Sequence, residues 1–447
     1  MENLLIADSK NHKISHDVIY REIQGKLFAL NESTGKIICL DNVGLNIWDF
    51  LTKEVSFAEL ETQLNEKGIL ISKDELIDFI KYLHENDLLQ PLDSSESIVK
   101  NCSHHTEMEL WRFIYKFTNE IYPVDIFWEL TYNCNHNCIH CYEDCFSTKQ
   151  MQDLNTDIVF EILKMLHKSG TFNITISGGE PFIRKDIFDI IEYAKNMNFS
   201  LTIYTNGTLL TEKDIIRIKK LNVKKVCISL FSMQPEIHEN ITKSKGSFTK
   251  TVNAIKLLRK HKVDVRIHCP MLISNYDDYK SVIKFAELYK CELIISPTII
   301  CKDDGDKSPM KYSISDNQVK QLMLDKDTET KMELDLIDVS NRLNQYSCDI
   351  VFSGLSISAD GRVFPCHSFK LEIGHLLNQN IIDIWKDSEV LNKIRNTKIK
   401  NIEHCNTCPK VKYCLPCPAY AWTENKEIVG KSTISCRNAS IRQLIDD

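Results

Sequence analysis

The chain has 447 residues, 43% of them hydrophobic and 26% charged, with 14 glycines and 11 prolines. That is material for roughly two to four domains with real cores, and it excludes collagen-like, low-complexity and wholly disordered chains. The formal charge of −7 gives no basic excess of the kind a general nucleic-acid binder shows. Residues 1–92 read as a separate unit. Val18 to Glu22, Lys26 to Leu30 and Lys36 to Leu40 are short runs rich in β-branched and aromatic residues, with turns at Gly25 and Asn31 to Gly35. Helical patterns follow over Val43 to Leu51, Phe57 to Asn65 and Lys73 to His84, the last two with Ser56 and Ser72 as N-caps. Three strands with three helices give a winged-helix-like outline.

A polar linker, Asp93 to His105, and a connecting helix fill residues 93–124. From 125 to 300 strand and helix alternate. Strands are expected at Ile126 to Leu130, Asn173 to Ser177, Leu201 to Thr205, Lys225 to Leu230, Asp264 to His268 and Glu292 to Ser296. The helices are expected at Ile158 to His167, Ile187 to Asn196, Glu212 to Lys220, Phe248 to His261 and Tyr276 to Leu288. Six βα units imply an α/β fold with a parallel sheet, closed as a partial (β/α)6 TIM-like barrel. Residues 301–345 form a polar helical bridge. Residues 346–447 hold seven cysteines and little periodicity, so something other than a large apolar core is expected to hold them together.

Seventeen cysteines stand out. The opening MENLLIADSKNHK has no basic segment followed by an apolar one, and no run reaches the ~18 apolar residues of a membrane helix. The expected setting is the cytoplasm, with no membrane and no nucleic acid as partner. Thiols there stay reduced, and clustered cysteines hold metal more often than they form disulfides.

Cys134, Cys138 and Cys141 stand in TYNCNHNCIHCY, just beyond the first strand of the alternating region. Chance gives that spacing about 0.02 times in such a chain. Three thiolates on one short loop can cover one face of a cubane and leave one iron without a protein ligand. Zinc is the other reading, with a fourth ligand from His136, His140 or Cys145. The triplet resembles the signature of the radical S-adenosylmethionine (SAM) enzymes, over about residues 125–300. That resemblance implies that the amino and carboxylate groups of SAM chelate the open iron, and that reduction cleaves SAM to a 5′-deoxyadenosyl radical. It also places His140 beside the adenine.

Ile176-Ser-Gly-Gly-Glu-Pro181 follows the second strand. Its glycines admit a close backbone approach, and Glu180 can accept a hydrogen bond from an ammonium group. Alone it reads as a strand-to-helix turn; after the triplet it resembles the family's SAM-amine site, which assigns Gly178, Gly179 and Glu180. Asn206 and Ser229, at later strand ends, match polar SAM contacts of the family, in keeping with ligands gathering at that face of such barrels. Ser229-Leu-Phe-Ser232 departs from the usual Ser-Leu-Asp-Gly, and Lys243-Ser-Lys-Gly246 from the usual Arg-Gly. The partner of the SAM carboxylate is therefore unassigned, as is any catalytic side chain.

Cys348 and Cys366 flank Gly361, and Cys405-x2-Cys408-x5-Cys414-x2-Cys417 precedes Cys436. Paired Cys-x2-Cys units alone read as a zinc ribbon. The seven-cysteine order resembles the SPASM domain, a twin auxiliary-cluster module of peptide-modifying radical SAM enzymes, with a shorter Cys414–Cys417 gap than usual. Carried over by position, Cys405, Cys408, Cys414 and Cys436 ligate one cluster. Cys348, Cys366 and Cys417 give the other only three ligands. An upstream cysteine near Arg342 is missing; either a substrate thiolate fills the place or Cys301 folds back.

Phe28, the Asn31 to Gly35 turn, Asp41, Ile47-Trp48 and Asp87-Leu-Leu89 resemble the PqqD-like recognition element, which captures the leader of a ribosomal peptide as an added strand. The competing winged-helix function is DNA binding, against which its many acidic residues count. The resemblances together imply three 4Fe-4S clusters, SAM, a precursor peptide with leader, and an electron donor such as flavodoxin or ferredoxin. The expected product is a cysteine-to-carbon thioether, as in sactipeptide or ranthipeptide synthases. Alternatives are carbon–carbon (cyclophane-type) crosslinking, maturation of a sulfatase or other whole protein, and a metal-binding transcriptional regulator. Cys39, Cys227 and Cys269 read as small core residues; Cys102, Cys145 and Cys291 belong to no array.

Overall fold

The structure, a computed structural model, describes residues 12–52, 57–69, 71–91, 106–143, 152–328 and 339–446. Ser56, the 93–105 linker, Cys102 and Cys145 lie outside the described residues. The chain forms two units: Met1–Val124 with His167–Phe172 and Met197–Ser200, and the remainder.

In the first unit, β1 (His12–Ile14) is followed by β2 (Val18–Ile23), β3 (Lys26–Asn31) and β4 (Ile37–Leu40), the last three forming an antiparallel meander. The β2–β3 turn runs through Gln24 and Gly25, both at positive φ. Helices Asn42–Leu51, Phe57–Glu66 and Lys73–Glu85 follow. Asp41 caps the first by accepting from the Gly44 N–H, and Ser72 forms a capping box with Glu75 on the third. The period-2 alternation of β3 serves two cores. Leu27 and Ala29 pack with Trp48, Leu76 and Ile80, while Phe28 and Leu30 pack with Leu110 and Ile114 of the helix Thr106–Thr118. β5 (Leu89–Pro91) pairs with β1, a pair of three-residue strands too short for alternation to reveal.

The second unit is built on a nine-stranded sheet. β6 (Asp125–Glu129), β7 (Asn173–Ser177), β8 (Ser200–Thr205), β9 (Lys225–Ser229), β10 (Val265–Pro270) and β11 (Glu292–Ser296) lie side by side in chain order. Every pairing with a recorded register among them is parallel. The intervening helices include Thr156–Lys168, Ile187–Asn196, Glu212–Lys220, Ser247–Lys260 and Tyr279–Leu288. An added helix, Pro235–Thr242, begins at a proline and has too few turns to show its period.

β6 and β11 are not neighbours. The outer edge of β6 is taken by β12 (Gly354–Ile357), which runs parallel to it, followed by antiparallel β13 (Arg362–Phe364) and β14 (Gly374–His375). The region after 346 therefore contributes strands to the sheet. It also has an apolar core, contrary to the reading of its sequence: Trp385, Ile381, Leu391 and Ile394 are fully buried. Its helices Ile381–Asp387 and Glu389–Asn396 are two turns each, so their apolar residues show no period. The bridge contains helices Asp316–Leu324 and Val339–Leu343. No helix among the described residues is long and apolar enough to cross a membrane.

Candidate metal centres and active site

The loop after β6 carries Cys134, Cys138 and Cys141, and both of its flanks are fixed. Thr131 Oγ1 donates to Asp153 at 2.5 Å, and the Tyr132 N–H donates to the same carboxylate at 3.1 Å. On the far side, the Asn137 and Ile139 N–H groups donate to the carbonyls of Thr242 and Ile241. On the loop so held, the three thiols lie close enough to act on one another electrostatically. Burial, with the charges of Glu180 and Cys141, pushes Cys134 up to about 11, against the backbone N–H groups of His136, at 3.5 Å, and Asn135. Burial raises Cys138 further. Such thiols are protonated at neutral pH until a metal takes the proton's place.

Gly178 and Gly179 serve this loop directly. A Cβ at Gly178 would come within 2.4 Å of the Thr131 carbonyl oxygen, and one at Gly179 within 2.3 Å of the Asn133 oxygen. The Gly179 and Glu180 N–H groups donate to those same carbonyls, each at 2.8 Å. The two glycines therefore admit the cysteine loop's own backbone, an approach their sequence context left to a ligand.

Glu180 is completely buried and links two strand ends. Its carboxylate accepts from Phe182 N–H (3.1 Å), Thr205 Oγ1 (2.8 Å) and Asn206 N–H (2.7 Å). Burial nevertheless pushes its pKa up to about 7. A carboxylate has about four acceptor sites, so room for a further donor is limited. Asn206 Nδ2 donates to Asn135 Oδ1 at 2.8 Å, which ties this strand end to the cysteine loop. Ser229 ends β9 opposite His268 in register. His140 packs edge-on to Phe231 with centroids 4.9 Å apart, and burial lowers it to about 4. Its Nδ1 is buried with no partner, an orphaned polar atom that a bound ligand can satisfy. Ser232 and the Met233 N–H both donate to Asp278, so a distant acid serves the turn that departs from the usual motif.

The C-terminal cysteines lie in two groups, Cys348 with Cys366 and Cys417, and Cys405 with Cys408, Cys414 and Cys436. Burial and Cys417 push Cys348 up to about 12; burial, Cys348 and Cys417 do the same to Cys366. The backbone N–H groups two and three residues ahead favour the anionic form of each of these three sulfurs: Ile350 and Val351 for Cys348, Ser368 and Phe369 for Cys366, Ala419 and Tyr420 for Cys417. Cys405, Cys408, Cys414 and Cys436 line one cavity of about 250 Å³, together with Lys410 and Lys431. Burial, with Cys405, Cys436 and Cys408, pushes Cys414 up to about 12. Cys301 is buried, and its leading charged neighbours are Glu424, Lys307 and Asp303. Tyr420 feels Cys417, Cys366 and Cys301 together.

Among the described residues, no three His, Cys, Asp or Glu side chains converge as one metal ion requires. All-thiolate sets of three and four, with no histidine or carboxylate among them, suit an iron–sulfur group.

Lys370, four residues beyond Cys366, was not singled out by the sequence. Its Nζ lies 2.8 Å from Glu129 Oε1, 3.2 Å from Glu143 and 3.5 Å from Asp303. One ammonium thus joins the end of β6, the residue two beyond Cys141, and the bridge to the SPASM-like segment. Burial and the neighbouring Glu143 raise Glu129, and burial pushes Asp303 up to about 7. His367 packs on Phe127 at 4.9 Å, and burial and Lys370 lower it to about 4. No spacing rule reveals a contact across 241 positions. Cys227 and Cys269 are buried as expected, while Cys39 and Cys291 are half-buried.

Residues 128–286 match the radical SAM superfamily, and residues 348–409 match SPASM, an iron–sulfur cluster-binding domain. The chain is similar to the antilisterial bacteriocin subtilosin biosynthesis protein AlbA of Bacillus subtilis, 24% identical over 405 residues, covering 86% of this chain and 88% of that protein. It is also similar to an AdoMet-dependent heme synthase of Methanosarcina barkeri, 26% identical over 329 residues, covering 67% and 92%. Among solved structures, Streptococcus suis SuiB bound to precursor peptide SuiA aligns with a TM-score of 0.61 at 15% identity, covering 95% of this chain and 99% of that one. Native anSMEcpe with bound AdoMet aligns with a TM-score of 0.57 at 17% identity, covering 72% and 96%. At these identities the solved structures share the fold. The protein is an enzyme with a radical SAM domain and an iron–sulfur cluster-binding domain.

Proposed function

We propose that the enzyme modifies a ribosomally made precursor peptide, joining a cysteine sulfur to a carbon as a thioether. Residues 1–92 recognise the leader, 125–300 form the radical SAM core and 346–447 hold two auxiliary clusters, so that three 4Fe-4S clusters and SAM serve the reaction. The SAM centre, when loaded and reduced, supplies a 5′-deoxyadenosyl radical that takes a hydrogen atom from the substrate carbon.

The observation that carries the reading is the three-thiol group. Backbone N–H groups act on the sulfurs of Cys348, Cys366 and Cys417, and among the described residues the thiols that act on Cys348 and Cys366 belong to this same set. A substrate cysteine completes that set. Ligation removes the thiol proton and holds the sulfur in one place. Joining a thiol to a C–H carbon removes one hydrogen atom, one proton and one electron. The cysteines of residues 346–447 would hold an auxiliary cluster able to take up that electron, and a flavodoxin or ferredoxin would exchange electrons with the enzyme. Lys370, tied to residues on both sides, keeps the two cysteine-bearing segments in fixed register.

A peptide substrate is supported by AlbA, named for bacteriocin biosynthesis, and by SuiB in complex with a precursor peptide. In the N-terminal unit, Asn198 accepts from the Tyr20 N–H at 2.8 Å and donates to the Val18 carbonyl at 3.1 Å, so the outer edge of β2 is engaged. That leaves β4 to receive the leader as an added strand. The test is anaerobic reconstitution with SAM and a cysteine-containing precursor. A product lighter by two hydrogens per crosslink, with the cysteine alkylation-resistant, is expected; an unchanged mass overturns the thioether.

A further inference from the structure

The four-thiol cavity differs from the three-thiol group in what surrounds it. Lys410 and Lys431 line it, and Lys410 Nζ donates to Ser440 Oγ at 2.8 Å. Arg342, only 6% exposed, lies against the backbone of Cys414: Nε and Nη2 donate to the Cys414 carbonyl at 3.0 and 2.5 Å. Its Nη1 donates to Gln345 Oε1, a neutral acceptor. Arg442 donates to the carbonyl of Tyr413, the preceding residue, at 2.9 Å. Two guanidinium groups from separate helices thus grip consecutive carbonyls at the residue that delivers one ligand. The opposing anions are Glu424 near Cys436 and Asp349 near Arg342. Around Cys348, Cys366 and Cys417 the leading influences are instead backbone N–H groups, the thiols themselves and the anion Asp349.

A guanidinium remains charged across the working pH range, and burial extends its electrostatic reach. A four-iron cluster gains one negative charge on reduction, and nearby charge sets how readily it does so. We infer that Arg342 and Arg442 set the reduction potential of the cluster held by Cys405, Cys408, Cys414 and Cys436, by stabilising its one-electron-reduced form. The inference rests on reading those four cysteines as a cluster site. Held by those four cysteines, such a cluster would provide a site for the electron released by the substrate, for an external one-electron carrier to remove. Both arginines act through the cluster without touching substrate, which makes them positioning residues for charge.

The test uses the full chain with Cys134, Cys138 and Cys141 replaced by alanine, reconstituted anaerobically and titrated potentiometrically by EPR. Iron analysis comes first. A parent chain that retains no iron at residues 405–436 overturns the cluster reading itself, before any potential is measured. In iron-replete Arg342→Gln and Arg442→Gln, one auxiliary signal should reach its midpoint at lower potential, by a shift equal to about tenfold in the reduced-to-oxidised ratio (about 59 mV). The other signal should stay in place, and Arg442→Lys should restore the parent value. Arg442 is only half-buried, so its variants carry the test if the Arg342 variant does not fold. Unchanged midpoints in iron-replete Arg442→Gln overturn the inference.

Discussion

The two auxiliary cysteine groups stabilise anionic sulfur by different means. Cys348, Cys366 and Cys417 head short turns whose own N–H groups point back at the sulfur. Cys405, Cys408, Cys414 and Cys436 share a cavity with two lysines and have two arginines behind it. Backbone donors fix direction and add no net charge, while cations add charge with little direction. The first arrangement suits a group that must hold a ligand place open in a defined orientation. The second suits one that must store an electron.

Removing ligands breaks the comparison most severely. Cys366→Ala should lose about four irons per chain and all crosslinking, while the EPR signal of the four-thiol cluster persists. Cys408→Ala should do the reverse in iron and spectrum. Loss of both signals in either variant would show that the groups are not independent.

Lys370→Met should loosen the three-thiol side selectively. It leaves the buried Glu129 and the part-buried Glu143 and Asp303 without their cation, at a cost of about 3–5 kcal/mol. Urea unfolding should show that loss, and Glu129→Gln in the same chain should recover part of it.

A smaller effect is expected at Arg395, whose Nε and Nη1 donate to the Val351 and Trp385 carbonyls at 2.8 and 2.6 Å. Val351 is one of the residues whose N–H faces Cys348. Arg395→Met should cost about 1–3 kcal/mol in unfolding and shift the absorbance of the three-thiol cluster alone.

The weakest link to either group is Glu180. Its carboxyl is raised from 4.5 to about 7, so the folded state binds the proton more tightly than the unfolded one. Its contribution is fully present below pH 4.5 and falls as pH climbs to about 7, by an order of 3 kcal/mol. Glu180→Gln should flatten that slope in unfolding measurements without altering either auxiliary spectrum.

The alternating core was readable because each βα unit is long enough to show both periods; Asn173–Ser177 and Ile187–Asn196 stand where their patterns place them. The cysteine sets were readable because soft ligands at fixed spacing carry chemistry in the sequence itself. What escaped depends on contacts between distant positions. β12 is four residues long and fully buried, so nothing in Gly354–Ile357 announces that it will pair with β6. Lys370 reads as one more surface lysine until the fold places three carboxylates around it. The glycines of Ser177-Gly-Gly-Glu180 were legible as a close approach, but which backbone approaches was not: Thr131 and Asn133 of the cysteine loop meet them.

The most direct measurement of the central claim is EPR of the enzyme lacking Cys134, Cys138 and Cys141, titrated with a cysteine-containing precursor peptide and with its serine counterpart. Only the cysteine peptide should change a signal. The change should vanish in the Cys366→Ala background and persist when Arg442 is replaced. Signals identical with and without the cysteine peptide would contradict a substrate thiolate at the three-thiol group.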